Sequence, residues 1–264
     1  MVDVVPLAKA RPVSDSGENG RLGALRQRCE GLSGAALLEV MIRDEFSGRL
    51  AVISSFGAES AVLLHMVAEV DPATPVIFLN TGKLFPETLR YRDRLQAKLG
   101  LAEIRVMGPH PDDEHSLDSD GGLWNSNPDA CCHFRKVLPQ ARALAGFEAV
   151  VTGRKRFQTG ARMTMPLIEE ETVAVLPGLP KPVVDHRIKI NPLALWGEEE
   201  LQHYQETHRL PAHPLVKDGY LSIGCMPCTD RVSEGGDYRE GRWAGRDKDE
   251  CGIHLPAFRD GDGI

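Results

Sequence analysis

Four of the six cysteines in this 264-residue chain fall into two close pairs. Cys131 and Cys132 are adjacent in "DACCHFRK", and Cys225 and Cys228 form the C-x-x-C knuckle "GCMPC", in which Gly224 and Pro227 allow a tight turn. Four thiolates are the number taken by a tetrahedral zinc or an iron-sulfur cluster. The tandem pair favours the cluster, because adjacent side chains diverge and reach separate irons more easily than one small ion. Zinc is the main alternative, and a vicinal disulfide is the chemically bland one. Cys29, in "LRQRCEGL", reads as a small buried residue. Cys251, in "DECGIH", stands outside this set, with arginines before it and His254 three residues on. A thiolate near Arg or protonated His is stabilised and becomes a usable nucleophile, whereas a surface cysteine without a role is the plain alternative.

Charge points the same way. The chain carries a formal net charge of -7, which argues against a general nucleic-acid binder. Yet "GRKRFQTGAR" (153 to 162) and "YREGRWAGR" (238 to 246) concentrate arginines among glycines, a pattern suited to a small, dense anion such as a nucleotide. A solvated basic face is the competing reading. The N-terminal stretch lacks the apolar core of a signal peptide, and no segment is apolar for the length a membrane span needs, so a cytoplasmic location without membrane contact is expected. In that reducing compartment clustered cysteines are read as metal ligands or redox catalysts.

The elements that must position these residues alternate. "RLAVISSF" (49 to 56) reads as a buried strand, "AVLLHMVAEV" (61 to 70) as a helix and "TPVIFLNTG" (74 to 82) as a second strand. A helix over 86 to 100 has Pro86 in its first turn and Gly100 at its end. Strands follow at 102 to 108 and 147 to 153, with a segment after Lys136 that is helical apart from the interruption of Pro139. The spacing predicts an α/β fold, a mostly parallel twisted sheet flanked by helices. Ligands bind at the carboxyl ends of such strands, so "SSFGAES", "LNTGK" and "TGRKR" should line one cleft. Beyond residue 165 regularity weakens, apart from a helix over 197 to 210. The expected division is a flexible lead (1–25), a nucleotide- and cluster-binding domain (26–228) and a mobile tail (229–264) carrying Cys251.

These motifs, with "LNTGKLFPET", "CCHFRK", "YREGRW" and the terminal "ECGIH", occur in the order seen in the sulfonucleotide reductases. From about residue 49 to 254 the chain resembles their assimilatory adenylylsulfate (APS) reductases of the iron-sulfur type. The resemblance implies an adenine nucleotide alpha hydrolase-like (PP-loop) fold and a 4Fe-4S cluster on Cys131, Cys132, Cys225 and Cys228. It implies that Cys251 attacks the sulfate sulfur of APS, expelling AMP, and that thioredoxin or glutaredoxin then releases sulfite from the S-sulfonate. In this family the cluster is thought not to carry the electrons. Lys136 matches a lysine between cluster and substrate, Arg162 a nucleotide-contacting arginine, and Arg239 and Arg242 arginines that hold the phosphate-sulfate end. Backbone amides of the loop containing Ser54, Ser55 and Gly57 can cradle phosphate or sulfate, and His254 accompanies the nucleophile.

The sequence also departs from the family. Phe56 and Ala58 interrupt the ATP-using loop pattern, Ser60 and Asn80 stand where Asp is common, and "DR" at 230 to 231 replaces a frequent "RP". ATP cleavage is therefore not expected. A reductase for 3'-phospho-APS, or for both nucleotides, is the nearest alternative. A sulfur-inserting tRNA enzyme and a non-catalytic metal-bearing regulator are the distant ones. Homo-oligomerisation is left open.

Overall fold

Short apolar runs without polar alternation are what a parallel strand buried on both faces requires, and "LAVI", "VIFL" and "AVVT" meet that requirement. They form β1 (Leu50–Ile53), β2 (Val76–Leu79) and β4 (Ala149–Thr152) of a computed structural model that describes residues 18–233, 235–246, 248 and 252–253. With β3 (Ile104–Met107), β5 (Ile168–Thr172) and β6 (His186–Ile190) they make one six-stranded sheet in the order β3-β2-β1-β4-β6-β5. Only β5 runs antiparallel, paired with β6. The order reverses direction at β1, which lies between β2 and β4, and this is where a crevice opens in such a sheet.

Helices cover both faces. The chain begins with α1 (Glu18–Arg28) and α2 (Gly34–Glu39), the second running on through a widened π-type turn at Val40–Glu45. Helix α3 (Ser60–Val70) is apolar almost all round and buries Val62, Leu63, Leu64, Met66 and Val67. Each such side chain contributes roughly 1.5–3 kcal/mol of transfer free energy. It packs on the face that carries Leu50, Val52, Phe78 and Val151, while Ala51, Ile77 and Val150 point to the other face and meet Leu144 and Phe147. Helix α4 (Pro86–Leu99) starts with Pro86 and ends at Gly100, whose φ of 67° is the left-handed cap expected there.

A helical run from Pro128 to Leu144 places the first cysteine pair. Two short helices, α5 (Pro111–Leu117) and α6 (Leu123–Ser126), precede it; α7 (Pro128–Cys132) is capped by the Asn127 side chain, which accepts the amide of Ala130 at 3.0 Å. A π-type segment, His133–Val137, then leads into α8 (Leu138–Leu144). Pro139 has no amide to donate and its ring collides with the carbonyl four residues back in a regular helix, so the widened turn before it lets the helix continue. The interruption read at Pro139 is thus a local widening.

Two features were not legible. The sheet's second edge, β5 and β6, lies in a segment read as irregular, because its inward positions include Arg187 and Lys189, both paired with Glu171. Helix α1 also begins at Glu18, inside the stretch read as a loose lead, and buries Leu25 with Cys29 just beyond it. Helix α9 (Glu198–Thr207) matches expectation. Among the described residues no helix is long and apolar enough to cross a membrane.

The connection after α9 is anchored by His213, which is 1% exposed. Its Nδ1 accepts the Leu215 amide at 3.2 Å, which leaves the proton on Nε2, 3.1 Å from the Thr88 hydroxyl. Burial pushes its pKa down to about 4. The folded ring stays neutral while the unfolded one charges below its ordinary value near 6.5, so stability is constant above that pH and falls between 6.5 and 4. The loss from this group amounts to roughly 3 kcal/mol. Denaturant midpoints at pH 7 and pH 4.5 should differ more for the natural protein than for His213→Asn; equal pH dependence would contradict the assignment.

Candidate functional site

The loop after β1 turns sharply on a strained residue. Phe56 has a φ of 50°, unusual for a bulky side chain. It is held there by full burial, by an edge-to-face contact with Phe78 at 5.3 Å, and by its amide, which donates to the Ser54 hydroxyl at 3.2 Å. The turn sends the chain through Gly57 and Ala58 into α3, which opens at Ser60 and directs its first amides toward the crevice. After β2, the Asn80 side chain accepts the Gly82 amide at 3.1 Å, so asparagine here closes the turn that an aspartate would.

These loops and the segment after β4 enclose a cleft of about 210 Å³. Ser54, Ser55, Gly57, Lys136, Arg162, Arg239 and Arg242 all line it, as does Ile253, whose carbonyl accepts from Gln140 at 3.2 Å. Cys251 and His254 lie outside the described residues. Among the described residues six cations border the cleft, Lys136, Arg154, Lys155, Arg162, Arg239 and Arg242, against one carboxylate, Glu59. In a chain whose net charge is -7 this is a local reversal of sign, and it suits a polyanion.

Glu59 joins several of these groups. Its carboxylate pairs with buried Lys155 and accepts Gln158 Nε2 at 3.0 Å. Gln158 in turn accepts Arg162 Nη1 at 2.6 Å. Burial lowers the Lys155 pKa against the pull of Glu59, and burial and Glu59 together hold the Tyr238 phenol well above its ordinary value. The phenol is therefore a donor at neutral pH. Sequence reading passed over Glu59, Lys155, Gln158 and Tyr238, although all four sit inside the motifs "SSFGAES", "TGRKRFQTGAR" and "YREGRW".

The second cavity adjoins the first. Cys131, Cys132, Cys225 and Cys228 line it, and Lys136 and Cys225 belong to both cavities. All four cysteines are buried. Burial and neighbouring Cys132 push the Cys131 thiol up to about 11, and burial raises Cys228 as well. Donors surround the sulfurs: the Thr81 hydroxyl is 3.2 Å from Cys225 Sγ and Lys136 Nζ is 3.6 Å from Cys132 Sγ. The indole N–H of Trp243, packed with Cys225 and Cys228, is buried without an acceptor among the described residues. A thiolate-held group fits these features, since it needs deprotonated sulfurs and accepts such donors. No three His, Cys, Asp or Glu side chains among the described residues are disposed to hold a single ion, so the sulfurs ring a cavity instead of converging on one point.

Neighbouring Arg135 fixes the scaffold. It is 3% exposed and donates to the Thr81 carbonyl at 2.7 Å, to Glu114 at 2.5 Å and to Asp118 at 2.7 Å. Burial alone would raise the Asp118 pKa, but the Leu123 amide and Arg135 outweigh it and hold the carboxyl below its usual range. On the far side, Thr229 and Arg242 form an antiparallel bridge, and the Trp243 ring has the cationic groups of Arg242, Lys248, Arg239 and Lys136 at 4.4, 5.7, 5.8 and 6.0 Å from its centre.

A basic anion cleft at the switch point of a parallel sheet, sharing a wall with a four-cysteine cavity, agrees with what comparison with known proteins finds. Residues 49–231 match the phosphoadenosine phosphosulfate reductase domain, and the chain belongs to that family of oxidoreductases. The chain is 47% identical over 254 residues, 94% of its length and 95% of the relative's, to an adenosine 5'-phosphosulfate reductase of Mesorhizobium japonicum. It is 37% identical over 236 residues to one of Streptomyces coelicolor, covering 88% of this chain and 94% of that one. Among solved structures, a phosphoadenylyl-sulfate reductase from Candida auris in complex with phosphate superposes with a TM-score of 0.64 at 26% identity, over 83% of this chain and all of that one. The adenine nucleotide alpha hydrolase-like architecture expected from the loop motif is the architecture found.

The Arg242 guanidinium lies directly over Gly224, where any Cβ would intrude on it. Gly224→Ala should displace that flexible group and weaken AMP or sulfate binding about five- to tenfold in calorimetry. Its unfolding free energy should stay within about 0.5 kcal/mol of the natural protein.

Proposed function

We propose that this enzyme reduces adenosine 5'-phosphosulfate to sulfite and AMP, and the observation that carries the reading is the wall shared by the cationic cleft and the four-cysteine cavity, with Lys136 and Cys225 facing both. The cleft offers a nucleotide the turn at Ser54, Ser55 and Gly57 for its anionic bridge and Arg162 beside it. Lys136, Arg239 and Arg242 gather at the other end, next to the cysteines, where the sulfate would lie. In this reading Cys251 is the nucleophile, with His254 close to it in sequence, on a tail (229–264) that moves between substrate and reductant.

The Cys251 thiolate attacks the sulfate sulfur, forming an S–S bond as the bond to the bridging oxygen breaks, and AMP leaves with that electron pair. A thiolate of thioredoxin, or of glutaredoxin, then attacks Cys251 Sγ and expels sulfite. The second thiol of the reductant resolves the mixed disulfide, restores Cys251 and supplies the remaining electron balance, one dithiol oxidised for each sulfite formed. Cationic side chains stabilise charge on the transferred group and on the departing phosphate. Cys131, Cys132, Cys225 and Cys228 would hold a 4Fe-4S cluster, which when bound ties the two cysteine pairs together and sets its charge beside Lys136 without carrying these electrons. The reducing cytoplasm is the compartment that would keep the five thiols and the reductant in working form.

The choice of APS over the 3'-phosphorylated nucleotide rests on the cysteine pairs and on the names of the most similar relatives. Cys251→Ser should abolish sulfite release, more than 10³-fold, while iron content and AMP binding stay as in the natural enzyme. Loss of iron in that variant would contradict the assignment. Lys136→Ala should lower kcat/KM about 10²- to 10³-fold without loss of iron. Intact mass spectrometry after anaerobic incubation with APS, without reductant, should show one sulfonate adduct on Cys251; no adduct from APS or its 3'-phosphorylated form would overturn the mechanism.

A further inference from the structure

We propose that Arg154 is a substrate-binding residue, a preset donor that offers Nη1 to a neutral acceptor on the nucleoside half of the bound nucleotide. The proposal rests on reading the cleft as a nucleotide site. Arg154 follows β4, lines the cleft and is 8% exposed. The edge of its guanidinium formed by Nε and Nη2 is fully engaged: Nε donates to the Thr152 hydroxyl at 3.2 Å, and Nη2 donates to Asn191 Oδ1 at 3.1 Å and pairs with Glu169. Nη1 takes part in none of these bonds. Its N–H groups have no acceptor among the described residues, and the open side of this side chain is the cleft.

Asn191, just past β6 and fully buried, sets the engaged edge. Its Nδ2 donates to the Pro166 carbonyl at 3.0 Å and to Glu169 at 3.2 Å, which leaves Oδ1 to accept the Thr152 hydroxyl at 2.6 Å together with Arg154. A reversed amide would turn its N–H groups toward an arginine, which cannot accept, so the chemistry of the partners fixes its orientation. Three strands, β4, β5 and β6, thus hold one guanidinium still before any ligand arrives. Little side-chain freedom is left to be lost on binding.

Position and charge select the ligand. Cys225 is held by Thr81 and Leu84, just past β2, whereas Arg154 stands past β4 and is tied to β5 and β6, on the other side of β1. Two strand spacings, about 10 Å, separate the ends of β2 and β4. With the sulfate beside the cysteines and the anionic bridge on the turn after β1, the nucleoside lies toward Arg154. Glu169 cancels the charge of the arginine, so its free nitrogen acts through direction more than through field. That suits a ribose oxygen or a ring nitrogen better than a second phosphate.

Calorimetry on the holoenzyme with AMP, ribose 5-phosphate and inorganic sulfate tests this without turnover. Arg154→Lys keeps a cation beside Glu169 but has no second nitrogen to offer. It should weaken AMP binding about tenfold and leave sulfate binding within twofold. The same loss with ribose 5-phosphate would put the bond on the ribose, and full affinity for that ligand would put it on the base. Arg154→Gln should repeat the pattern if the lysine variant does not fold. Unchanged AMP binding, or an equal loss for AMP and sulfate, would overturn the proposal. With APS, the variant should raise KM about tenfold while kcat stays within twofold, because Arg154 stands away from the reacting atoms. A natural enzyme that binds AMP but forms no sulfite, with AMP binding still weakened in the variant, would sink the reaction and leave the role of Arg154 in place.

Discussion

Gathering six cations around one cleft is the constraint that organises this structure. Two unit charges 4 Å apart repel by about 4 kcal/mol at an effective dielectric of 20, so such a cluster forms only where the rest of the fold compensates. The compensation is visible in the buried pairs just behind the surface: Arg154 with Glu169, Lys155 with Glu59, and Arg135 with Asp118 and Glu114. Such pairs add little net stability, because desolvation offsets their attraction, but removing one partner is expensive. They fix positions. Arg154 ties the loop after β4 to β5, Lys155 ties the same loop to the turn that leads into α3, and Arg135 ties the cysteine-bearing helical run to α5 and the residue that ends it.

The same economy appears in the helical run from Pro128 to Leu144. Its widened turn carries Phe134, Arg135 and Lys136, three consecutive buried residues with different tasks. Phe134 is packed into the interior, Arg135 is spent on the scaffold, and Lys136 faces both cavities. A regular helix here would rotate these directions, and Pro139 makes the irregular turn the favourable one. A residue that looked like an interruption in the sequence is therefore part of how the site is aimed.

Much of this was legible in the sequence, and the reasons differ by element. Strands β1, β2 and β4 announce themselves because both faces are buried and the apolar runs are unbroken. Cysteine pairs and arginine–glycine clusters stand out because those residue types are rare in such patterns by chance. Strands β5 and β6 hid behind charge: "IEEET" and "HRIKI" read as polar, and it is the pairing of Glu171 with Arg187 and Lys189 across the strands that lets β6 bury both basic residues. Glu59 and Tyr238 were hidden for another reason. They are 179 positions apart, and they come to line one cleft only after the chain has folded back. Long-range polar partnerships leave no local period to read.

That separation also bears on the order in which the molecule is built. Strands β1, β2, β3 and β4, with the crevice-flanking β1 and β4 among them, are complete once residue 152 has been made. Leu84 and Thr81, in contrast, meet Cys225 across more than 140 positions. Closing so long a loop has an entropic cost that nearby contacts do not, and chains emerge from the ribosome N-terminus first. With β5 and β6 added by residue 190, the sheet is a platform on which the cysteine cavity and the roof of the cleft assemble last. A folding error there would spoil the site while leaving the sheet beneath it standing.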